Sequence, residues 1–128
     1  MKRAVITGIG IVSSIGNNAE EVVKSLKEGK SGIEFSEQFK EMGMRSQVWG
    51  SLKMTPSEHI DRKAMRFMGD ASAYAYIAMQ QAIEDANLPE DMVSNERTGI
   101  VVGSGGSSPE NQVKAADILR EKGVKRIG

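Results

Sequence analysis

A run of small residues at helical spacing constrains this chain more than any other feature. From Asp61 the sequence turns strongly helical, and Ala64, Met68, Ala71, Ala75, Ala78, Ala82 and Ala86 recur at intervals of three and four. Residues so spaced lie on one face of a helix. A face this bare lets the backbone of a neighbour come close, as it does for a helix in the middle of a layered domain. Tyr74, Tyr76, Ile77, Met79 and Ile83 lie elsewhere around the same helix, so the pattern predicts one long helix buried on most sides. Asn87 and Pro89 end it.

Two apolar runs read as strands. Arg3–Val12 and Thr98–Gly103 are apolar at nearly every position and rich in β-branched residues, the pattern of central strands buried on both faces. After the first run, Asn18 with Glu21 three residues on forms a capping box, and Val22, Val23 and Leu26 give a short amphipathic helix ending at Gly29. Residues 30–60 carry Gly32, Gly43, Gly50 and Pro56 among scattered apolar residues. They predict an irregular covering layer with a short helix near Ser36 to Met42 and an extended piece at Gln47 to Leu52. Glu90–Arg97 is read as a linker. Ser108 as N-cap, Pro109 at the first helical position and Gly123 past the end frame a last helix to about Lys122. The order of elements is α/β. Two strands do not make a finished sheet, so further strands are expected elsewhere.

Composition excludes several functions. Lys+Arg and Asp+Glu are balanced at 17 each, which argues against a nucleic-acid partner, because phosphate neutralisation needs a basic surplus. No stretch has the roughly 18 consecutive apolar residues of a membrane span, nor does the N-terminus read as a secretory signal, so the cytoplasm is the expected location. The absence of cysteine removes disulfides, thiolate metal sites and thiol nucleophiles, and the single histidine, His59, leaves no His pair for a metal. His59 is expected at the surface. Neither a metal nor a cofactor is expected.

Three clusters carry residues suited to chemistry. Gly8-Ile9-Gly10 closes a strand before a helix, but the third glycine of a dinucleotide fingerprint falls on Ser13, and no acidic residue ends a second strand at the required distance. Glycines that admit close backbone contact are the better reading. Gly103–Ser108 lies between strand and helix without the Lys-Ser/Thr pair of a P-loop, so it is either a pocket wall or a plain turn. Arg62, Lys63 and Arg66 are spaced to share one face in the opening turns of the long helix. Cations there oppose the helix dipole, and a local rule broken at a cost points to function. The competing reading is a solvated face with Asp61 capping and Asp70 pairing to Arg66. Lys122, Lys125 and Arg126 form a second basic group, and a neutral chain with two cationic patches suits an acidic partner.

Three blocks, KRAVITGIGIVSSIGNN, IDRKAMRFMGDAS with AYA behind it, and VVGSGGSSPE followed by a helix and VKRIG, closely resemble the N-terminal part of the β-ketoacyl-[acyl-carrier-protein] synthases. Within that family they are most similar to the bacterial type I condensing enzymes, and the likeness runs through essentially all 128 residues. It implies a thiolase-like layered fold, of which residues 1–128 are the N-terminal portion with an incomplete sheet and the remainder lies outside this chain. It further implies a cytoplasmic homodimer that condenses an acyl thioester with malonyl-carrier in fatty acid biosynthesis. Members use a cysteine at a helix N-terminus and two histidines, and none of the three is in this chain; His59 matches neither histidine. The catalytic residues expected here are therefore none. Arg62, Lys63 and Arg66, with Lys122 and Lys125, match positions of the family's docking patch for the acidic acyl carrier protein. Ser108 and Gln112 fall in the segment that lines its acyl pocket near the dimer axis. The alternative is a noncatalytic carrier-binding or interaction module that folds alone, with a nucleotide-binding fold as a third reading.

Overall fold

The structure is a computed structural model and describes residues 3–127. Its elements follow the local signals closely wherever a cap fixes them. α1 (Ala19–Lys27) begins where the Asn18 side chain accepts a hydrogen bond from the Glu21 amide at 2.9 Å, and the Glu21 carboxylate accepts one from the Asn17 amide at 2.8 Å. It ends at Gly29, whose φ of 64° suits glycine. β1 (Ile33–Phe35) and β2 (Val48–Gly50) pair antiparallel with Glu34 opposite Trp49, and α2 (Glu37–Glu41), capped by Ser36, fills the connection. The Phe39 and Trp49 rings stack at 5.8 Å between centroids. Hydrogen bonds from Lys53 and then Ser51 hold the Glu34 carboxyl below the usual carboxylate range and pin the hairpin's end.

The expected long helix is two helices. α3 (Arg62–Met65) is a single turn capped by Asp61, and α4 (Asp70–Asp85) starts afresh at Gly69. Gly69 breaks the run because it packs against the start of the last helix: a Cβ there would lie 3.0 Å from Asn111 Nδ2 and 3.3 Å from Ser108 Cβ. Asn87, at φ 49°, stops α4 as expected. α5 (Glu90–Val93) occupies part of the expected linker, and α6 (Pro109–Lys122) runs between the Ser108 cap and Gly123 as the sequence predicts.

Neither apolar run is a paired strand. Among the described residues the only named sheet is the β1–β2 hairpin, so the two expected central strands lack neighbours. The first run is instead seated on α4. A Cβ on Gly10 would strike the Ala78 carbonyl, and one on Gly8 would lie 2.7 Å from the Ala86 amide nitrogen as well as against the Ala82 carbonyl. The small-residue face does its expected work here. Side chains of the same helix also take up backbone donors that a strand neighbour would satisfy: Ile9 N–H donates to Asp85 Oδ2 at 2.9 Å and Ile11 N–H to Gln81 Oε1 at 3.0 Å.

The core is small: Ile60, Ala73 and Ile77, with Val12, Met54, Ala64, Met65 and Met68 packed around them. α4 is thus not buried on most sides; Tyr76 and Met79 face outward, because no layer covers them among the described residues. Val101 is 98% exposed and Ile6 85%. The accessible surface is 10984 Å², whereas a folded monomer of 13.9 kDa presents about 6,700 Å². The excess of roughly 4,000 Å² is surface that a finished domain of this mass keeps from water.

The seat gives a sharp contrast between glycines. Gly10→Ala drives a methyl into the Ala78 carbonyl and is expected to cost about 1–3 kcal/mol in chemical denaturation. Gly99→Ala meets nothing within 4 Å, so it is expected to stay within about 0.5 kcal/mol of the parent.

Candidate functional site

Around α3 the chain makes a tight local corner. Asp61 Oδ1 accepts from the Lys63 amide at 2.8 Å, the Met65 amide donates to the Asp61 carbonyl at 2.9 Å, and the Phe67 and Met68 amides close the next turn on Ala64 and Met65. Arg62, Lys63 and Arg66 are all exposed on this corner. They do not stand in the opening turns of α4, contrary to the sequence expectation. The helix that carries them is one turn long, with Arg66 as its C-cap, so the argument from an opposed macrodipole does not apply.

Their charges are nevertheless free. Among the described residues the ion pairs are Lys40–Glu37, Lys53–Glu34 and Arg120–Asp117. Of the competing reading, the Asp61 cap is present but the Asp70–Arg66 pair is not formed. Arg62 and Arg66 instead flank an open hollow of about 420 Å³ whose other lining residues are Ser57, Ile60 and Met65. No sequence spacing marks this hollow, since it forms where Ser57 of the Pro56–Glu58 turn comes near α3 in space. Phe67, next in sequence to Arg66, is 88% exposed, and no periodicity marks it as a surface residue.

Lys122 ends α6 and Lys125 lies in the 3-10 turn Val124–Arg126, both exposed. No hydrogen bond or ion pair joins this second group to the first among the described residues.

Ser108 caps α6, its Oγ accepting from the Asn111 amide at 3.4 Å. It lines a hollow of about 330 Å³ between the glycine-rich loop and the small residues Gly69, Ala71 and Ala75 of the α4 start. Gln112 is outside that lining; its side-chain amide donates to Ser107 Oγ at 2.9 Å. The hollow is open, with the small side chains of Gly69, Ala71, Ser72 and Ala75 on one wall. His59 is exposed, as expected, and borders a polar hollow with Glu21 and Glu84. No His/Cys/Asp/Glu group suited to a metal ion occurs among the described residues, and no helix of the described chain is long and apolar enough to cross a membrane. With no cysteine and one histidine, the arrangement can recognise a partner but offers no thiol nucleophile.

The sequence matches the family described as "Beta-ketoacyl synthase, N-terminal domain" over residues 1–127. This chain belongs to the β-ketoacyl synthase family. It is 64% identical over 129 residues to 3-oxoacyl-[acyl-carrier-protein] synthase 1 of Haemophilus influenzae, covering 100% of this chain and 32% of that relative. With the synthase 1 of Escherichia coli K12 the identity is 58% over 130 residues, again 100% of this chain and 32% of the relative. The crystal structure of a β-ketoacyl synthase from Burkholderia phymatum aligns with a TM-score of 0.79 at 29% identity, covering 98% of this chain and 31% of that one. The fold is thus a partial α/β piece of the thiolase-like architecture. The chain spans about a third of the length of the curated relatives it matches.

Removing the α6 cap tests the geometry of the Ser108 hollow. Ser108→Ala is expected to lower stability by about 1 kcal/mol in urea denaturation. Gln112→Ala, exposed on the same helix, is expected to stay within about 0.5 kcal/mol.

Proposed function

We propose that residues 1–128 are the N-terminal part of a longer β-ketoacyl synthase domain. The whole protein transfers an acyl chain from its carrier onto a thiol and then condenses it with malonyl-carrier in fatty acid biosynthesis. The observation that carries this reading is the 64% identity, along the entire chain, to a relative named as a 3-oxoacyl-[acyl-carrier-protein] synthase. The nucleophile and its histidine helpers come from outside these residues, because this chain has no cysteine and its one histidine is an exposed side chain. The excess apolar surface at Thr98–Gly103 and on α4 is what the rest of the protein covers, including the second subunit of a homodimer, and the assembly works in the cytoplasm.

Within that protein this segment supplies scaffold and recognition. Arg62, Lys63 and Arg66, without ion-pair partners among the described residues, receive acidic residues of the acyl carrier protein, and Lys122 and Lys125 extend the patch. Exposed charges of this kind steer association and set specificity more than they add raw affinity. Ser108 and Gln112 border the acyl chain's path, Ser108 at the wall of its hollow and Gln112 one turn further along α6.

Two measurements test the reading. A radiolabelled malonyl-carrier condensation assay on residues 1–128 alone is expected to give background only, and turnover above background would refute the assignment of the chemistry to the rest of the protein. In the protein expressed from its complete native reading frame, Lys63→Glu with Arg66→Glu is expected to raise KM for carrier-borne substrates about tenfold or more while sparing small acyl thioesters. Equal loss with both substrate types would make the patch structural.

A further inference from the structure

The polar hollow beside His59 carries negative charge that nothing around it answers. It measures about 580 Å³, within the roughly 300–1,000 Å³ of small-molecule sites. Glu21 reaches it from the first turn of α1 and Glu84 from the last turn of α4, and no Lys or Arg lines it. Neither glutamate has an ion-pair partner among the described residues. Much of the lining is held in place. The Glu21 carboxylate accepts from the Asn17 amide at 2.8 Å and from Asn18 Nδ2 at 3.2 Å. Gln81 is fixed at both ends, by the Ile11 amide and the Asn17 carbonyl. Ile77 belongs to the core, and Met54 packs against it. Glu21, Glu84 and His59 are not gathered into a group that could hold a metal ion. A ligand matched to this lining therefore carries positive charge at more than one place.

We propose that this hollow binds an aliphatic diamine or polyamine, with one ammonium group at Glu21 and another at Glu84. The inference goes beyond the condensation reaction and does not rest on the carrier-docking reading. An ammonium group brings three donors and no acceptor, and its hydrogen bonds to a carboxylate are of the stronger, charge-assisted kind. The side-chain oxygen of Gln80 is a further acceptor in the lining. The methylene chain between the two charges covers Met54 and Ile77, and Tyr76 offers a ring face to an ammonium group. Charge complementarity argues for this ligand. An anion meets two carboxylates and no cation, and a neutral polyol leaves both carboxylates without a counter-charge. Because Glu21 and Gln81 are already oriented, binding pays little to order them.

Calorimetry on the protein expressed from its complete native reading frame tests this, with putrescine, n-butylamine and magnesium chloride as probes at physiological ionic strength. The two amines share a four-carbon chain and differ in the second ammonium group, so their difference reads the second carboxylate. Putrescine is expected to bind with one-to-one stoichiometry, at least about tenfold more tightly than butylamine, and magnesium is expected not to displace it. Glu84→Gln, at an exposed position, is expected to weaken putrescine binding about tenfold, to the level of butylamine. Glu96→Gln, exposed and outside the hollow, is expected to leave it unchanged. If Glu84→Gln lowers the melting temperature, the comparison of the two amines on the unaltered protein decides alone. Absence of putrescine binding would mean that the rest of the protein fills or covers the hollow, and overturns the proposal. Equal binding of the two amines, displacement by magnesium, or equal weakening by Glu96→Gln would show only diffuse attraction to acidic surface, and each overturns it.

Discussion

The backbone of residues 8–10 lies directly on α4, and most of the structure depends on that contact. Gly8 and Gly10 carry no Cβ at the two points where the chain meets the Ala78, Ala82 and Ala86 backbone, and the alanines add only methyl groups from the other side. Contact this close leaves no room for the side-chain layer that normally separates a strand from a helix. The polar cost is met from the same helix. Gln81 accepts from Ile11 N–H and donates to the Asn17 carbonyl at 2.7 Å, while Asp85 takes the Ile9 amide. Gln81 thereby fixes the residue that precedes the α1 cap, and Ser25 of α1 donates back to the Ile15 carbonyl at 2.6 Å. N-terminal segment, α1 and α4 form one unit held by close backbone contact and by side-chain-to-backbone hydrogen bonds.

From the other end of α4 the same logic positions the recognition surface. Gly69 touches the α6 start, so the helical run from Asp61 breaks there, and the four residues between Met65 and Asp70 turn the chain. That turn carries Arg66 and Phe67 into solvent beside Arg62 and Lys63. It also places Met65 over the buried Ile60, so the apolar hollow and the cations around it share one cause.

Which parts of this were legible in the sequence follows from how local their causes are. The Asn18–Glu21 box, the Ser36 and Ser108 caps, and Gly29 and Gly123 act within a few residues, and the helices they bound lie where the pattern put them. The alanine stripe and the paired glycines were legible as close-contact surfaces, although not as each other's partners. The break at Gly69 was missed because helical periodicity continued through it, although a glycine followed by Asp70 is itself a start signal. The runs Arg3–Val12 and Thr98–Gly103 carry the composition of buried strands, yet pairing is a property of the neighbour and not of the run, and no strand neighbour is present among the described residues. The cation cluster was visible as spacing. The hollow was not, since Ser57, Ile60 and Met65 converge only once the turn and α3 have packed together.

Membership of the β-ketoacyl synthase family gives these features a common setting: a bare, apolar, half-covered α/β piece with one finished polar edge. The N-terminal segment is locked to α4 through glycine, alanine and two side-chain acceptors, without a strand ladder among the described residues. Residue-resolved hydrogen exchange tests this most directly. In residues 1–128 alone, the Ile9 and Ile11 amides are expected to exchange at least about tenfold more slowly than those of Val101 and Val102, which have no hydrogen-bond partner among the described residues. Exchange of Ile9 and Ile11 as fast as Val101 would contradict the account.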